Sequence, residues 1–469
     1  MPPKMLLSMP IRRVLLNLGI LTIVCLLIAG IAFPSSRVTI QDLVVQKVQE
    51  VKGADPQAPV KKYKPEPSYR PPPIRENFPL LTTSPPPPIP KWNQPREDMY
   101  KEYHLPVAPP LLIGFTRTWP VLQQAVVSYI TAGWPASQIY VVENTGVQQA
   151  NARGQLSLQN PFFLNHTSLK ALGVNIIQTP TLLSFAQLQN FYLSLTYERN
   201  WPYYFWSHMD VVALSYEDGG GGITVPYNQP GYKSLYELAL AALRNQRAKG
   251  GRWAMRFFAY DHLTLVNPEA YEDIGGWDTL IPYYATDCDM YERLRMKGWT
   301  IEEDRVGIVT DVASAFEDLR VFYRVDGVEA KFVDPNPPPP PEGKQRRDAH
   351  DAARRDEDPN LAKWHALRIT SDNMYRELNP PRSDRGEDMM THTPDHKHGN
   401  RGRNTWQLGQ HGGQGEPFYY PQQGLAEALD LITETGREIF RRKWGHRDCD
   451  LIKDGHRVYD DAWRVEKDF

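Results

Sequence analysis

The sequence predicts an α/β fold: a doubly wound, mainly parallel sheet with helices on both faces. Over residues 111–206 short apolar runs alternate with stretches of helical period, and several of those runs end abruptly at a polar or acidic residue. One of them, Tyr203-Tyr204-Phe205-Trp206, stops at Ser207-His208-Met209-Asp210. It reads as a buried strand delivering polar side chains to its C-terminal tip.

Taken in order, Leu111-Leu112-Ile113-Gly114-Phe115 is the first strand. Thr116-Arg117-Thr118 follows it, then a helical pattern through Leu122, Ala125, Val126 and Tyr129. Ile139-Tyr140-Val141-Val142 is the second strand, ended by Glu143, and Val174-Asn175-Ile176-Ile177 is the third. Leu188, Phe191, Tyr192 and Leu195 make a helical stripe before the aromatic strand. In such sheets ligands bind outside the strand C-termini, where Arg117, Glu143, His208 and Asp210 all fall. The glycines at 219–222 form a loop and not a phosphate cradle, since no Lys-Ser/Thr follows. A helix over 234–247 and a strand over 253–260 come next, and the packed pattern fades near Val333.

The 469 residues would fill two or three average domains, but 42 prolines argue that much of the chain is not packed core. A net charge of -2 gives no field directed at nucleic acid. Cys25, Cys288 and Cys449 are the only cysteines, so this is no disulfide-stapled scaffold and holds no CxxC zinc pattern. Residues 14–33 are almost wholly apolar, long enough at about 1.5 Å per residue to cross a hydrocarbon core of roughly 30 Å. Lys4, Arg12 and Arg13 precede that run, which predicts a cytosolic tail at 1–13 and a type II signal anchor. The sequon Asn165-His166-Thr167 agrees with lumenal exposure. Residues 34–105 are expected to be a proline-rich stem and 106–335 the catalytic domain. The remainder, 336–469, is expected to be an accessory segment, partly disordered, opened by the prolines at 337–341. In it Leu425, Leu429, Ile432, Ile439 and Phe440 mark a helix that docks on the catalytic domain, and His392, His396 and His398 read as solvated loop.

Two acidic stretches carry the chemistry. His208 and Asp210, two apart on a strand, share a face and can reach one ion; Asp210 is the stronger ligand, and a plain turn at Asp210 is the competing reading. The second stretch is Gly275-Gly276-Trp277-Asp278, then Thr286-Asp287-Cys288-Asp289 opening a helix. Thr286 and Asp289 fit a capping box, which leaves Asp287 to project from the helix tip as a general base. Gly276, Trp277, Asp278 and Asp289 are the acceptor-side candidates, with Trp277 either an apolar platform for a sugar face or plain core, and Asp278 either an acceptor contact or the cap of the next turn. Oxygen ligands suit Mn²⁺ or Mg²⁺, and Mn²⁺ also tolerates an imidazole.

These motifs resemble those of the GT-A superfamily of nucleotide-sugar glycosyltransferases, the galactosyltransferase-like members in particular, over about residues 108–312. The resemblance rests on Gly275-Gly276-Trp277-Asp278, Asp287-Cys288-Asp289, Arg293-Leu294 and Gly298-Trp299. It implies Asp287 as the base, with Thr116, Arg117, Glu143 and Asp210 around the nucleotide sugar. It also implies a metal-dependent, inverting transfer to a glycan or glycoconjugate, by an enzyme anchored in the Golgi or ER membrane. Two departures stand out: the family's Asp-x-Asp is His208-Met209-Asp210 here, and Thr286 stands where many members have Glu. Asp311, after an apolar run, is a weak candidate for a third ligand. The rival expectation is a catalytically inactive relative that binds a glycan or a partner in a Golgi complex. A lumenal adaptor built on the two proline-rich segments is a remoter one.

Overall fold

The computed structural model describes residues 61–63, 65, 73–333, 358–378, 412–418 and 422–469. The chain divides into Met1–Tyr69 and Arg70–Phe469, and the second unit carries everything that follows. The expected anchor at 14–33 with its flanks, the break at 337–341 and His392, His396 and His398 lie outside the described residues. Among the described residues no helix is long and apolar enough to cross a membrane.

In chain order the elements that build the site are β1 (Leu111–Phe115), α1 (Trp119–Thr131), β2 (Ile139–Glu143), β3 (Asn175–Gln178), α2 (Phe185–Arg199), β4 (Tyr204–Ser207) and β5 (Val211–Leu214). There follow α3 (Leu235–Lys249), β6 (Trp253–Phe257), β7 (Leu263–Val266), α4 (Thr286–Met296), β8 (Thr300–Glu303), β9 (Ile308–Asp311), α5 (Pro359–Leu378) and α6 (Gln422–Trp444). Seven strands form one sheet in the order β3-β2-β1-β4-β7-β6-β8. β7 alone in it runs antiparallel to its neighbours β4 and β6; the other pairings are parallel. The sheet is therefore mixed but mostly parallel. β5 and β9 pair antiparallel in a separate two-stranded sheet.

Strand alternation builds a core on each face. Leu111, Ile113 and Phe115 of β1 and Phe205 of β4 face one way, against Leu122, Ala125 and Val126 of α1 and Leu240 and Leu243 of α3. Leu112, Tyr204 and Trp206 face the other way, against Leu188 and Tyr192 of α2 and Met290 and Leu294 of α4. Both α2 and α3 begin with a capping box, Ser184 with Gln187 and Ser234 with Glu237, which fixes where each helix leaves its loop.

Two boundaries differ from expectation. The packed body begins near residue 73, not 106: Phe78, Leu81, Met99 and Leu105 join the main core. Asn77 donates to the Phe316 carbonyl at 2.5 Å, and Asn93 to Glu217 at 2.9 Å. Prolines exclude long helix and sheet, but short turns between them still bury apolar side chains. The C-terminal segment also holds more structure than expected. In α5, Trp364 and Leu367 are fully buried, and Trp364 donates to the Ser215 carbonyl at 3.0 Å. α6 docks through Phe440 and Trp444 onto Ile281 and Ala285, while Ile432 is 39% exposed, so only its C-terminal half is apolar contact. Cys449 is disulfide-bonded to Cys288. The tail folds back.

Candidate functional site

β1 and β4 are neighbours, but the chain winds away from them in opposite directions, β2 and β3 to one side and β7, β6 and β8 to the other. That is the switch point, where the C-terminal strand ends splay and leave a crevice. A cavity of about 560 Å³ opens there, lined by Gly114 of β1 with Thr116 just beyond it, and by Trp206 and Ser207 of β4 with His208, Met209 and Asp210 beyond its end. Asp261 from the β6–β7 turn, Asp287 and Tyr291 from α4, and Asp311 from the end of β9 complete its polar wall. A Cβ at Gly114 would lie 2.5 Å from the Tyr192 hydroxyl, so glycine is what lets α2 cover the cavity floor.

Local structure explains each position. Just past β4 the His208 N–H still bonds the His262 carbonyl at 3.0 Å, one position beyond the β4–β7 register, and Ser207 Oγ bonds the same carbonyl at 2.9 Å. Asp210 follows with its carbonyl accepting from the Val312 N–H at 2.8 Å, and Asp210 and Asp311 both line the cavity. His208 stacks on Trp206 with ring centroids 5.4 Å apart. Its Nδ1 lies 3.7 Å from Asp210 and its Nε2 3.6 Å from Asp261. Burial works against its charged form, but the nearby carboxylates of Asp210, Asp261 and Asp311 outweigh that and push its pKa up to about 9. The Tyr291 hydroxyl donates to Asp261 at 3.0 Å. Burial first, then the charges of Asp261 and Asp287, hold that phenol protonated well above its ordinary range.

The expected residues divide into two groups. Thr116, His208, Asp210 and Asp287 line the cavity together. Arg117 lies behind the wall, buried, its guanidinium pKa lowered by desolvation with Tyr283 opposing. Glu143 is a correction: it is fully buried off the cavity, and its carboxylate takes His166 at 2.9 Å, Asn151 at 2.8 Å and Gln178 at 3.0 Å. It ties the ends of β2 and β3 to the loops beyond them.

The acceptor-side residues are corrections too. Gly276, Trp277 and Asp278 line a separate shallow depression with Lys443 and Tyr459. Trp277 is 2% exposed, wedged edge-on among Phe185, Tyr271 and Tyr291. Gly276 is glycine because its φ is 73° and a Cβ would strike the Asn190 side chain, which bonds both the N–H and the carbonyl of Trp277. Asp278 is paired with Lys443 at 2.7 Å. Asp289 is wholly buried and takes Arg293 at 2.8 Å, Lys443 at 2.6 Å and Trp444 at 2.8 Å. Arg293 also bonds the carbonyls of Ile274 and Gly276. Gly-Gly-Trp-Asp, Asp289 and Arg293 therefore form a latch, not a sugar platform. The capping box is absent as well: α4 starts behind Ala285, in the left-handed region with φ 66°, with no side-chain cap.

The acids of the cavity are donor types that suit Mn²⁺ or Mg²⁺, and Mn²⁺ also tolerates the imidazole. Among the described residues, however, no group of three or more His, Cys, Asp or Glu side chains is arranged to hold a metal ion. As it stands, His208 lies where a cation's charge would be, between Asp210 and Asp261.

No protein-family profile matches the chain, and no curated protein matches it by sequence. Among solved structures it is similar to a cytidylyltransferase from Leptospira borgpetersenii serovar Hardjo-bovis (strain JB197). The match covers 42% of this chain and 80% of that one, at 9% identity and a TM-score of 0.25. A likeness that slight assigns neither activity nor ligand.

Asp261 was not foreseen from sequence; its signal is Tyr260-Asp261-His262 packed between two short apolar runs. Arg437 and Cys449, which also line the cavity, carry no local signal, since only the folded-back tail brings them there.

Proposed function

We propose that this chain is a glycosyltransferase that moves a sugar from a nucleotide-diphosphate donor to a hydroxyl of a glycan or glycoconjugate. One observation carries the reading: Asp210 from a strand tip and Asp287 from a helix tip line one cavity at the switch point of a mostly parallel sheet. Aromatic lining from Phe185, Trp206, Tyr260 and Tyr284 suits the faces of a base or a sugar. In the proposed reaction the Asp287 carboxylate takes the proton of the acceptor hydroxyl as its oxygen bonds the anomeric carbon, and the carbon–oxygen bond to the diphosphate breaks. Direct displacement of this kind inverts the anomeric centre. A divalent cation, Mn²⁺ or Mg²⁺, is proposed at Asp210 with His208, where it would supply charge to neutralise the diphosphate. The Cys288–Cys449 disulfide supports an oxidising compartment, in keeping with the proposed lumenal placement in the Golgi or ER.

A second reading, a non-catalytic glycan- or partner-binding relative, is favoured by His208 standing between the two acids in place of a metal-ready set. A donor screen of the full chain in detergent, with and without Mn²⁺, separates the two. Nucleotide released from at least one nucleotide-diphosphate sugar supports the enzyme. Binding of glycans with no nucleotide bound or released supports the relative.

A further inference from the structure

The cavity wall is acidic. Asp210, Asp261, Asp287, Glu292, Glu303 and Asp311 line it, against the imidazole of His208 and the guanidinium groups of Arg295 and Arg437. A diphosphate entering such a wall needs a fixed cation that faces it. His208 lies between two of the acids, and Arg295, 44% exposed, is held at 2.5 Å by Glu292 on its own helix.

Arg437 is placed differently. Its side chain is 7% exposed, while its partner Glu434, at 2.5 Å, is 53% exposed and lies toward solvent. The guanidinium stacks 5.2 Å over the Tyr284 ring, itself part of the cavity wall. Everything around it fixes the turn of α6 that carries it. A Cβ at the preceding Gly436 would run into the Tyr284 carbonyl oxygen, so the helix lies directly on that backbone. Glycine is unfavourable inside a helix, and close approach is the reason for it here. Lys443 reaches Asp278 and Asp289, Trp444 donates to Asp289, and Cys449 is bonded to Cys288 beside Asp287. A guanidinium immobilised in this way holds a fixed positive charge against the cavity wall, where its planar fork suits an oxyanion.

We infer that Arg437 is the protein group that meets the diphosphate of the ligand, and that the C-terminal segment is thereby part of the site. The inference rests on the nucleotide-diphosphate-sugar reading of the cavity. It also gives that reading a cationic contact from outside residues 108–312.

The test is calorimetric titration of UDP, GDP and ADP into the full chain, with and without Mn²⁺, for wild type, Arg437→Met, Arg437→Lys and Arg442→Ala. Met retains an apolar stem over Tyr284, and Arg442 is 67% exposed on the same helix. The expected result is that wild type binds at least one of the three. Arg437→Met then binds it about tenfold to a hundredfold more weakly, Arg437→Lys recovers part of the loss, and Arg442→Ala matches wild type. Equal affinity in wild type, Arg437→Met and Arg437→Lys overturns the role of Arg437 and leaves the proposed function standing. Failure of wild type to bind any of the three overturns both.

Discussion

His208 has one ring nitrogen toward Asp210 and the other toward Asp261, at 3.7 and 3.6 Å, with Asp311 adding to the field. Its pKa of about 9 in the folded chain stands above the ordinary 6.5, so folding favours its protonated form. That stabilisation is complete below about pH 6.5 and is lost as pH rises through about 9, and it amounts to at most about 3 kcal/mol. With metal removed by chelator, urea denaturation should show wild type losing stability across that window, and His208→Gln should flatten the profile. A profile unchanged by His208→Gln would show that the imidazole is neutral throughout. The sequence made this residue legible as a chemical group but not as an ion-pair centre. His-x-Asp at a strand end is local and readable, whereas Asp261 and Asp311 reach it through the β6–β7 turn and the β5–β9 register.

α4 opens at the cavity and α6 lies against its first turn, and the two are joined by the disulfide, by Lys443 and Trp444 on Asp289, and by Gly436 on Tyr284. Gly436→Ala would gain helix propensity but push α6 off the Tyr284 carbonyl. The expected net cost is about 1–3 kcal/mol in denaturation with the disulfide intact. A more stable Gly436→Ala protein would mean that the helix can shift outward freely. The acidic turn of α4 was legible from its residue types, yet three of the four residues read as acceptor contacts, Gly276, Trp277 and Asp278, belong to the latch beside it, and Asp289 is buried within it. The same residue types serve both purposes. What decides between them is Lys443, 154 positions after Asp289 and invisible to local pattern. α5 was missed for a related reason: Leu361, Trp364 and Leu367 hold helical spacing, but the charged and proline-rich stretch before them masks it.

At the scale of the whole molecule, the alternation of strand and helix made the sheet legible, because period and strand-end polarity are local properties. The extent of the folded body was not, because Phe78, Leu81 and Met99 are scattered among prolines and find their partners only in three dimensions. Truncations test that point: a chain starting at 70 should fold like the parent, and one starting at 106 should lose several buried side chains worth about 1.5–3 kcal/mol each and fail to yield soluble protein. Equal stability of the two would restore the longer stem. The central claim is that two acids far apart in sequence, one at a strand tip and one at a helix tip, act on a single ligand. Steady-state kinetics of Asp287→Asn and Asp210→Asn, with the best donor from the screen, tests it most directly. The expected result is a kcat for Asp287→Asn about a hundredfold to ten-thousandfold below wild type with donor affinity retained, while Asp210→Asn chiefly weakens donor binding. Turnover by Asp287→Asn at the wild-type rate, or donor affinity unaltered in Asp210→Asn, would contradict it.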